Sequence, residues 1–274
     1  MLYSIICASL QSALTACENA LKGDGLWEES NSAYAWSQRS SALLGLQRYE
    51  DAVASAERAI ALHLTDAETL NYKAIGLWHL SSKGQSDLQQ AQATATKAVD
   101  QNSRYPQALF TLARIFGAQS NREQASIYYQ KAMEAYDDLI KTGLKAEDPL
   151  FRADLLTNQA VTLWYLKRKV EALNKVKEAA QLNPRSFEIH FNYGMIALSV
   201  CDYPKALAAF QQANQIQPNN VSVITGQGTA LFRLDRKQAA IAKLKAALAL
   251  DPSYEPARTV LSQLPHPQGD GACN

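Results

Sequence analysis

A unit of 34 residues recurs along this chain, and no other feature of the sequence narrows the possible folds as much. It is clearest at residues 187–220, FEIHFNYGMIALSVCDYPKALAAFQQANQIQPNN, where Gly194 and Ala206 are small, Tyr203 and Phe210 large, Ala213 small again, Ile216 apolar, and Pro218 closes the unit. Apolar residues follow helical spacing from Ile189 to Leu198 and again from Ala206 to Ile216, with a break at Cys201 and Asp202. The pattern predicts a helix, a tight turn and a second helix. Asp202 is placed to cap the second helix, and Pro204 falls in its first turn, where a missing N–H costs nothing. Each helix of about fourteen residues is roughly 21 Å long, and one such pair cannot bury its apolar faces alone. Shifting the template by 34 residues finds the neighbours it needs. Residues 221–254 carry Gly228, Ala240, Leu244, Ala247, Leu250 and Pro252 at matching places, and residues 153–186 carry Ala160, Ala172, Val176, Ala179, Leu182 and Pro184.

These residues resemble the tetratricopeptide repeat (TPR), whose 34-residue period and small–large alternation they reproduce. The resemblance covers most of the chain from about residue 33 onward. It implies an all-α fold, a right-handed α-solenoid of stacked antiparallel helix pairs forming a TPR-like superhelix. The chain departs from the family at the fourth position of the unit, where Trp is frequent. Only Trp36 matches there, and Leu70, Leu109, Leu156, His190 and Ile224 fill the equivalent places.

The register divides the chain into an N-terminal helix or partial repeat (residues 1–32), six units (33–66, 67–105, 106–139, 153–186, 187–220 and 221–254), a capping helix (255–264) and a disordered tail (265–274). The helix in the first segment covers residues 9–22, and its partner either lies at residues 1–6 or is missing. Residues 140–152 are an insertion between the third and fourth units. There the helix containing Met133 is expected to run on to Lys141, and Asp148 and Pro149 are an N-cap and first helical residue for an early start to the next helix.

A net charge of +1 over 274 residues lacks the electrostatic footprint of a nucleic-acid binder. No apolar run approaches the length of a membrane span, and the N-terminus lacks the basic region of a secretory signal. Cys7, Cys17, Cys201 and Cys273 stand in no metal-binding or redox spacing, and they read as free thiols in a reducing compartment, which places the protein in the cytoplasm. Gly226-Gln227-Gly228 lacks the strand and the third glycine of a dinucleotide fingerprint, so its glycines read as two small positions in a repeat. His63, His79, His190 and His266 are scattered, and no catalytic or metal constellation emerges. The expectation is a non-enzymatic protein without cofactors.

The resemblance supplies the candidate site. In the family, the first helices of successive pairs line a concave surface, which the second, fifth, sixth, ninth, twelfth and thirteenth positions of the unit tend to face. Here those positions include Val161, Trp164, Phe191, Met195 and Phe232, an apolar strip of the kind that marks a contact surface. Asn158 and Asn192 occupy the sixth position of adjacent units, where family members that bind extended peptides grip the ligand backbone with a carboxamide. Arg114 and Arg233 are placed to meet an acidic ligand group. The lysine-rich clamp by which chaperone-binding members hold a terminal carboxylate is not matched, since Ser37, Ser41, Asn71 and Ile75 stand at its first positions. The expected role is an adaptor holding a peptide or helix of another protein in the groove. The alternative is a scaffold that self-associates into a homo-oligomer through the 140–152 ridge or its terminal helices.

Overall fold

The computed structural model of the chain describes residues 3–22, 29–81, 85–142 and 148–264, and these residues form fourteen helices and no strand. A single helix, α1 (Tyr3–Lys22), comes first. Six pairs follow: α2 (Glu29–Gly45) with α3 (Tyr49–Ala61), α4 (Ala67–Leu80) with α5 (Gln85–Gln101), α6 (Pro106–Ala118) with α7 (Arg122–Thr142), α8 (Pro149–Tyr165) with α9 (Lys169–Leu182), α10 (Phe187–Ser199) with α11 (Tyr203–Ile216), and α12 (Val221–Arg233) with α13 (Lys237–Leu250). The last helix is α14 (Glu255–Gln263). Tyr3 to Ile6 belong to the same helix as residues 9–22. The expected disordered tail and residues 143–147 of the insertion lie outside the described residues.

The helices form two compact units, Ser4–Asp137 and a second that begins at Asp138. In the first, α4 packs against both α2 and α6. In the second, α10 packs against both α8 and α12, and α14 lies on α12 and α13. First helices therefore sit side by side within each unit, with the second helices behind them.

The repeat is written into the backbone at the hairpin turns. Five fifteenth-position residues adopt the left-handed conformation: Gln47 (φ 60°), Ser120 (62°), Lys167 (64°), Cys201 (60°) and Asp235 (57°). In each turn the next amide donates to the carbonyl five residues back: Arg48 to Leu43 at 2.9 Å, Asn121 to Phe116 at 2.9 Å, Arg168 to Leu163 at 2.9 Å, Asp202 to Ala197 at 3.0 Å and Arg236 to Leu231 at 2.9 Å. This Schellman closure satisfies carbonyls that the end of the first helix would otherwise orphan. The second pair departs from it: Ser81 stays right-handed (φ −65°, ψ −13°), because its turn carries the extra residues and need not close at once.

Side-chain caps fix the opposite ends. Asp66 accepts from the Thr69 amide at 2.7 Å, Asp148 from Leu150 at 2.9 Å, Asp202 from Lys205 at 3.3 Å and Asn220 from Val223 at 3.1 Å. The caps expected at Asp148 and Asp202 are both present, and α7 runs to Thr142, one residue beyond the expected Lys141.

Small residues decide how closely helices approach. Phe210 on α11 is fully buried. Its ring lies where a Cβ on Gly194 of α10 would come within 2.6 Å and a Cβ on Gly226 of α12 also within 2.6 Å. A Cβ on Gly228 would meet Leu244 of α13 at 2.8 Å. Gly226 and Gly228 are thus packing positions inside α12, as the repeat register predicts. One expectation fails: Cys201 takes part in a disulfide, whereas Cys17 is a free thiol. Spacing along the chain is blind to thiols that folding brings together.

Candidate functional site

In the second unit, Asn158, Val161 and Trp164 follow one another at steps of three residues and share one face of α8. Asn192, Met195 and Leu198 repeat the arrangement on α10, with Phe191 beside them, and Phe232 and Arg233 end α12. All of these side chains are half-buried. The intervening residues Leu155, Leu156, Ala160 and Leu163 are buried. The face therefore rests on the core from below and meets solvent from above. Phe191 stacks on Phe187 at 6.0 Å and meets the buried Phe210 edge-on at 6.1 Å, while Met195, Leu198 and Phe232 pack on the same core cluster. Such rings are held in fixed orientations before any ligand arrives, which lowers the ordering cost of binding.

The polar groups of this face differ in their engagement. The backbone carbonyl of Asn158 accepts from the Thr162 hydroxyl at 2.7 Å, but the carboxamides of Asn158 and Asn192 make no hydrogen bond among the described residues. Each keeps two donors and an acceptor for something else. Asp154 and Glu188 stand four residues before the two asparagines, one on each helix. Burial holds both carboxyls above the usual carboxylate range, helped at Glu188 by the charge of Asp154 and at Asp154 by that of Asp148. Glu188 is nevertheless exposed to water at its surface, so the desolvation comes from protein that surrounds the side chain without covering it.

Arg114 lies in the other unit, in a group that reading along the sequence did not assemble. Its guanidinium sits over the Trp78 ring at 3.9 Å and 5.8 Å from the centroid of Phe110. His79 meets Trp78 edge-on at 4.4 Å and lies flat on Tyr49 at 4.2 Å with the rings 5° from parallel. Phe110 continues the series to Tyr129 of α7 at 5.6 Å. Burial, assisted by the charge of Arg114, lowers the His79 pKa to about 4, so its imidazole is neutral at pH 7. The signal was present: these residues stand at positions 17, 13, 12 and 9 of three successive units. It becomes visible only when the units are stacked. The remaining predicted cation, Arg233, lies 5.9 Å from the Phe232 ring.

Other motifs have structural roles. His190 is hydrogen-bonded through Nε2 to the Pro184 carbonyl at 2.9 Å, and Arg168, in the turn between α8 and α9, forks onto Glu171 with two contacts of 2.7 Å. Among the described residues no helix is long and apolar enough to cross a membrane.

Comparison with known proteins agrees with this geometry. Family models described as tetratricopeptide repeat match residues 106–138 and 187–220. The fold is that of a tetratricopeptide-repeat protein from Parabacteroides merdae, with a TM-score of 0.58 at 13% identity, covering 95% of this chain and 94% of that one. It is likewise that of pilF from Pseudomonas aeruginosa, with a TM-score of 0.54 at 14% identity, covering 86% and 99% of the two chains. In sequence the chain is similar to Superkiller protein 3 of Schizosaccharomyces pombe, 23% identical over 183 residues. The match takes in 66% of this chain and spans only 13% of the length of that curated relative. Repeats of this kind indicate a protein–protein interaction module, typically without enzymatic activity. The chain is an all-α solenoid of stacked antiparallel helix pairs that carries tetratricopeptide repeats at residues 106–138 and 187–220.

Proposed function

We propose that the protein is an adaptor that holds a peptide or helix of a partner protein along the exposed face of α8, α10 and α12. The observation that carries this reading is the pair of carboxamides, Asn158 and Asn192, at equivalent places on neighbouring helices with no hydrogen bond of their own among the described residues. A carboxamide donates and accepts, so each matches one amide of a ligand backbone. Val161, Trp164, Phe191 and Met195 supply apolar contact beside them, and the asparagines fix the direction of the bound segment.

The test has two stages. A photo-crosslinking residue at Val161 or Met195 should capture the partner, while the same residue at exposed Val170 of α9 should not. The affinity of the captured partner is then measured for the Asn158→Ala/Asn192→Ala double variant. Each hydrogen bond contributes about 0.5–1.5 kcal/mol net, so loss of both should weaken binding by roughly ten- to a hundredfold. Unchanged affinity would remove the asparagines from the mechanism. A second reading, self-association through the 140–152 ridge, draws on Leu150, whose side chain is 55% exposed at the start of α8. Light scattering that shows a monomer across a hundredfold range of concentration would sink it.

A further inference from the structure

The stacked arginine in the Ser4–Asp137 unit is a separate recognition feature. Arg114 makes no ion pair among the described residues, in contrast to Arg39 with Glu18 at 3.2 Å and Lys73 with Glu57 at 2.9 Å in the same unit. Its position is nevertheless fixed, because the guanidinium carbon lies over the Trp78 ring, 3.9 Å from its centroid. Stacking consumes a face of the group and leaves the N–H edge as its remaining binding capacity. The neighbourhood favours an anion. The charge acting on both Tyr49 and His79 is that of Arg114, and burial keeps the His79 imidazole neutral, so one half-desolvated positive charge stands among aromatic rings.

We propose that Arg114 is a subsite for the side-chain carboxylate of an aspartate or glutamate on a partner protein, with Trp78 and Phe110 receiving the apolar residue next to that acid. A lone guanidinium offers a two-pronged fork that matches one carboxylate. Trp78 acts as the platform that orients the fork, and His79, itself stacked on Tyr49, meets Trp78 edge-on. The source is a side chain: Ser37, Ser41, Asn71 and Ile75 supply none of the additional cations that capture of a chain terminus uses. The subsite lies in a different unit from Asn158 and Asn192, and it stands whether or not those residues bind a backbone.

The experiment titrates the full-length chain with three N-acetylated tripeptides while the Trp78 indole N–H and Arg114 Nε–H are followed by NMR. Ac-Leu-Glu-Leu-NH2 should shift both signals and bind at least tenfold more tightly than Ac-Leu-Gln-Leu-NH2. Ac-Leu-Leu-Leu-OH carries its only carboxylate at the chain end and should bind more weakly than the glutamate peptide. Arg114→Gln should abolish the preference for Glu over Gln. Arg114→Lys keeps the charge without the planar fork, so it should retain only part of that preference, and its unchanged spectrum elsewhere would show that the unit remains folded. Equal binding of the Glu and Gln peptides, or no shift at millimolar peptide, would overturn the proposal. Tighter binding of the free-terminus peptide would overturn the assignment to a side chain. Because these signals belong to α4 and α6, failure here is distinct from failure of the asparagine test on α8 and α10.

Discussion

Replacing Gly226 by alanine tests whether the spacing of the first helices is set by the Phe210 ring. The new Cβ would lie 2.6 Å from Phe210 Cζ. Carbon atoms prefer about 3.5–4.0 Å, so the ring must retreat by roughly 1 Å. It has nowhere to go, since Gly194 already stands so close on the other side that its own Cβ would meet Phe210 Cε1 at 2.6 Å. Overpacking of this kind costs about 1–3 kcal/mol, and the blocked retreat puts the cost near about 3. Alanine returns about 1 kcal/mol through its better helix propensity, leaving a net loss of about 2 kcal/mol. Urea unfolding followed by circular dichroism measures the total, and hydrogen exchange on α11 and α12 locates it. Phe210→Leu removes the ring and opens a cavity, so each single variant is destabilised. The double variant should be more stable than the sum of the two predicts by about 1–2 kcal/mol, because leucine makes room for the methyl. Gly117 is the internal control: nothing lies within 4 Å of its Cβ direction, and Gly117→Ala should stabilise by about 0.5–1 kcal/mol. A stable Gly226→Ala protein, or strict additivity with Phe210→Leu, would refute the claim that this ring sets the helix separation.

The hairpin turns give a second expectation. Lys167 is exposed and left-handed at φ 64°, so Lys167→Gly should relieve more strain than it adds in chain entropy and stabilise the second unit by about 0.5–1 kcal/mol, read from the urea midpoint. The cap at Asp148 gives a third. Asp148→Ala leaves the Leu150 amide without its acceptor and should cost about 1 kcal/mol, visible as faster hydrogen exchange in the first turn of α8. The fourth concerns pH. The unfolded chain protonates His79 as the pH falls through about 6.5 and the folded chain only near about 4, so stability contributed by the neutral imidazole is lost progressively between those values. The full shift corresponds to about 3 kcal/mol, which partial exposure of the ring reduces to about 1–2. His79→Phe keeps the contact with Tyr49, and its unfolding free energy should fall less steeply from pH 6.5 to 4 than that of the parent chain. Equal slopes would mean that His79 is not held neutral.

How legible the molecule is from its sequence depends on the range of the interaction involved. The pair boundaries were readable because they rest on local chemistry: Asp148 and Asp202 cap amides two or three residues away, and Gly226 and Gly228 stand where the period demands small groups. The left-handed turn residues were not readable, because Gln47, Lys167 and Cys201 carry none of the glycine signal that usually marks such a conformation. There the closure of the Schellman bonds and the packing of both helices impose the backbone, and the residue tolerates it. The state of Cys201 was illegible for a similar reason, since a disulfide depends on a distance in space and not on an interval in the chain.

The two candidate surfaces differ in the same way, and the difference bears on how such a protein acquires specificity. On α8 and α10 the repeat places the same residue type at the same position, so one step of 34 residues delivers a second asparagine to an adjacent helix. Periodic placement suits a periodic ligand feature, the backbone, which every extended peptide shares. The group around Arg114 is assembled from unlike residues at unlike positions: Tyr49 from the start of a second helix, Trp78 and His79 from the end of a first helix, and Arg114 from the middle of the next. An aperiodic site suits a particular side chain. A solenoid can therefore hold backbone generically through positions that its repeat fixes, and select sequence through positions where its units differ. In this chain one such departure, Arg114 over the Trp78 ring at a ninth position that is otherwise uncharged, is where selection for an acidic residue is expected to act.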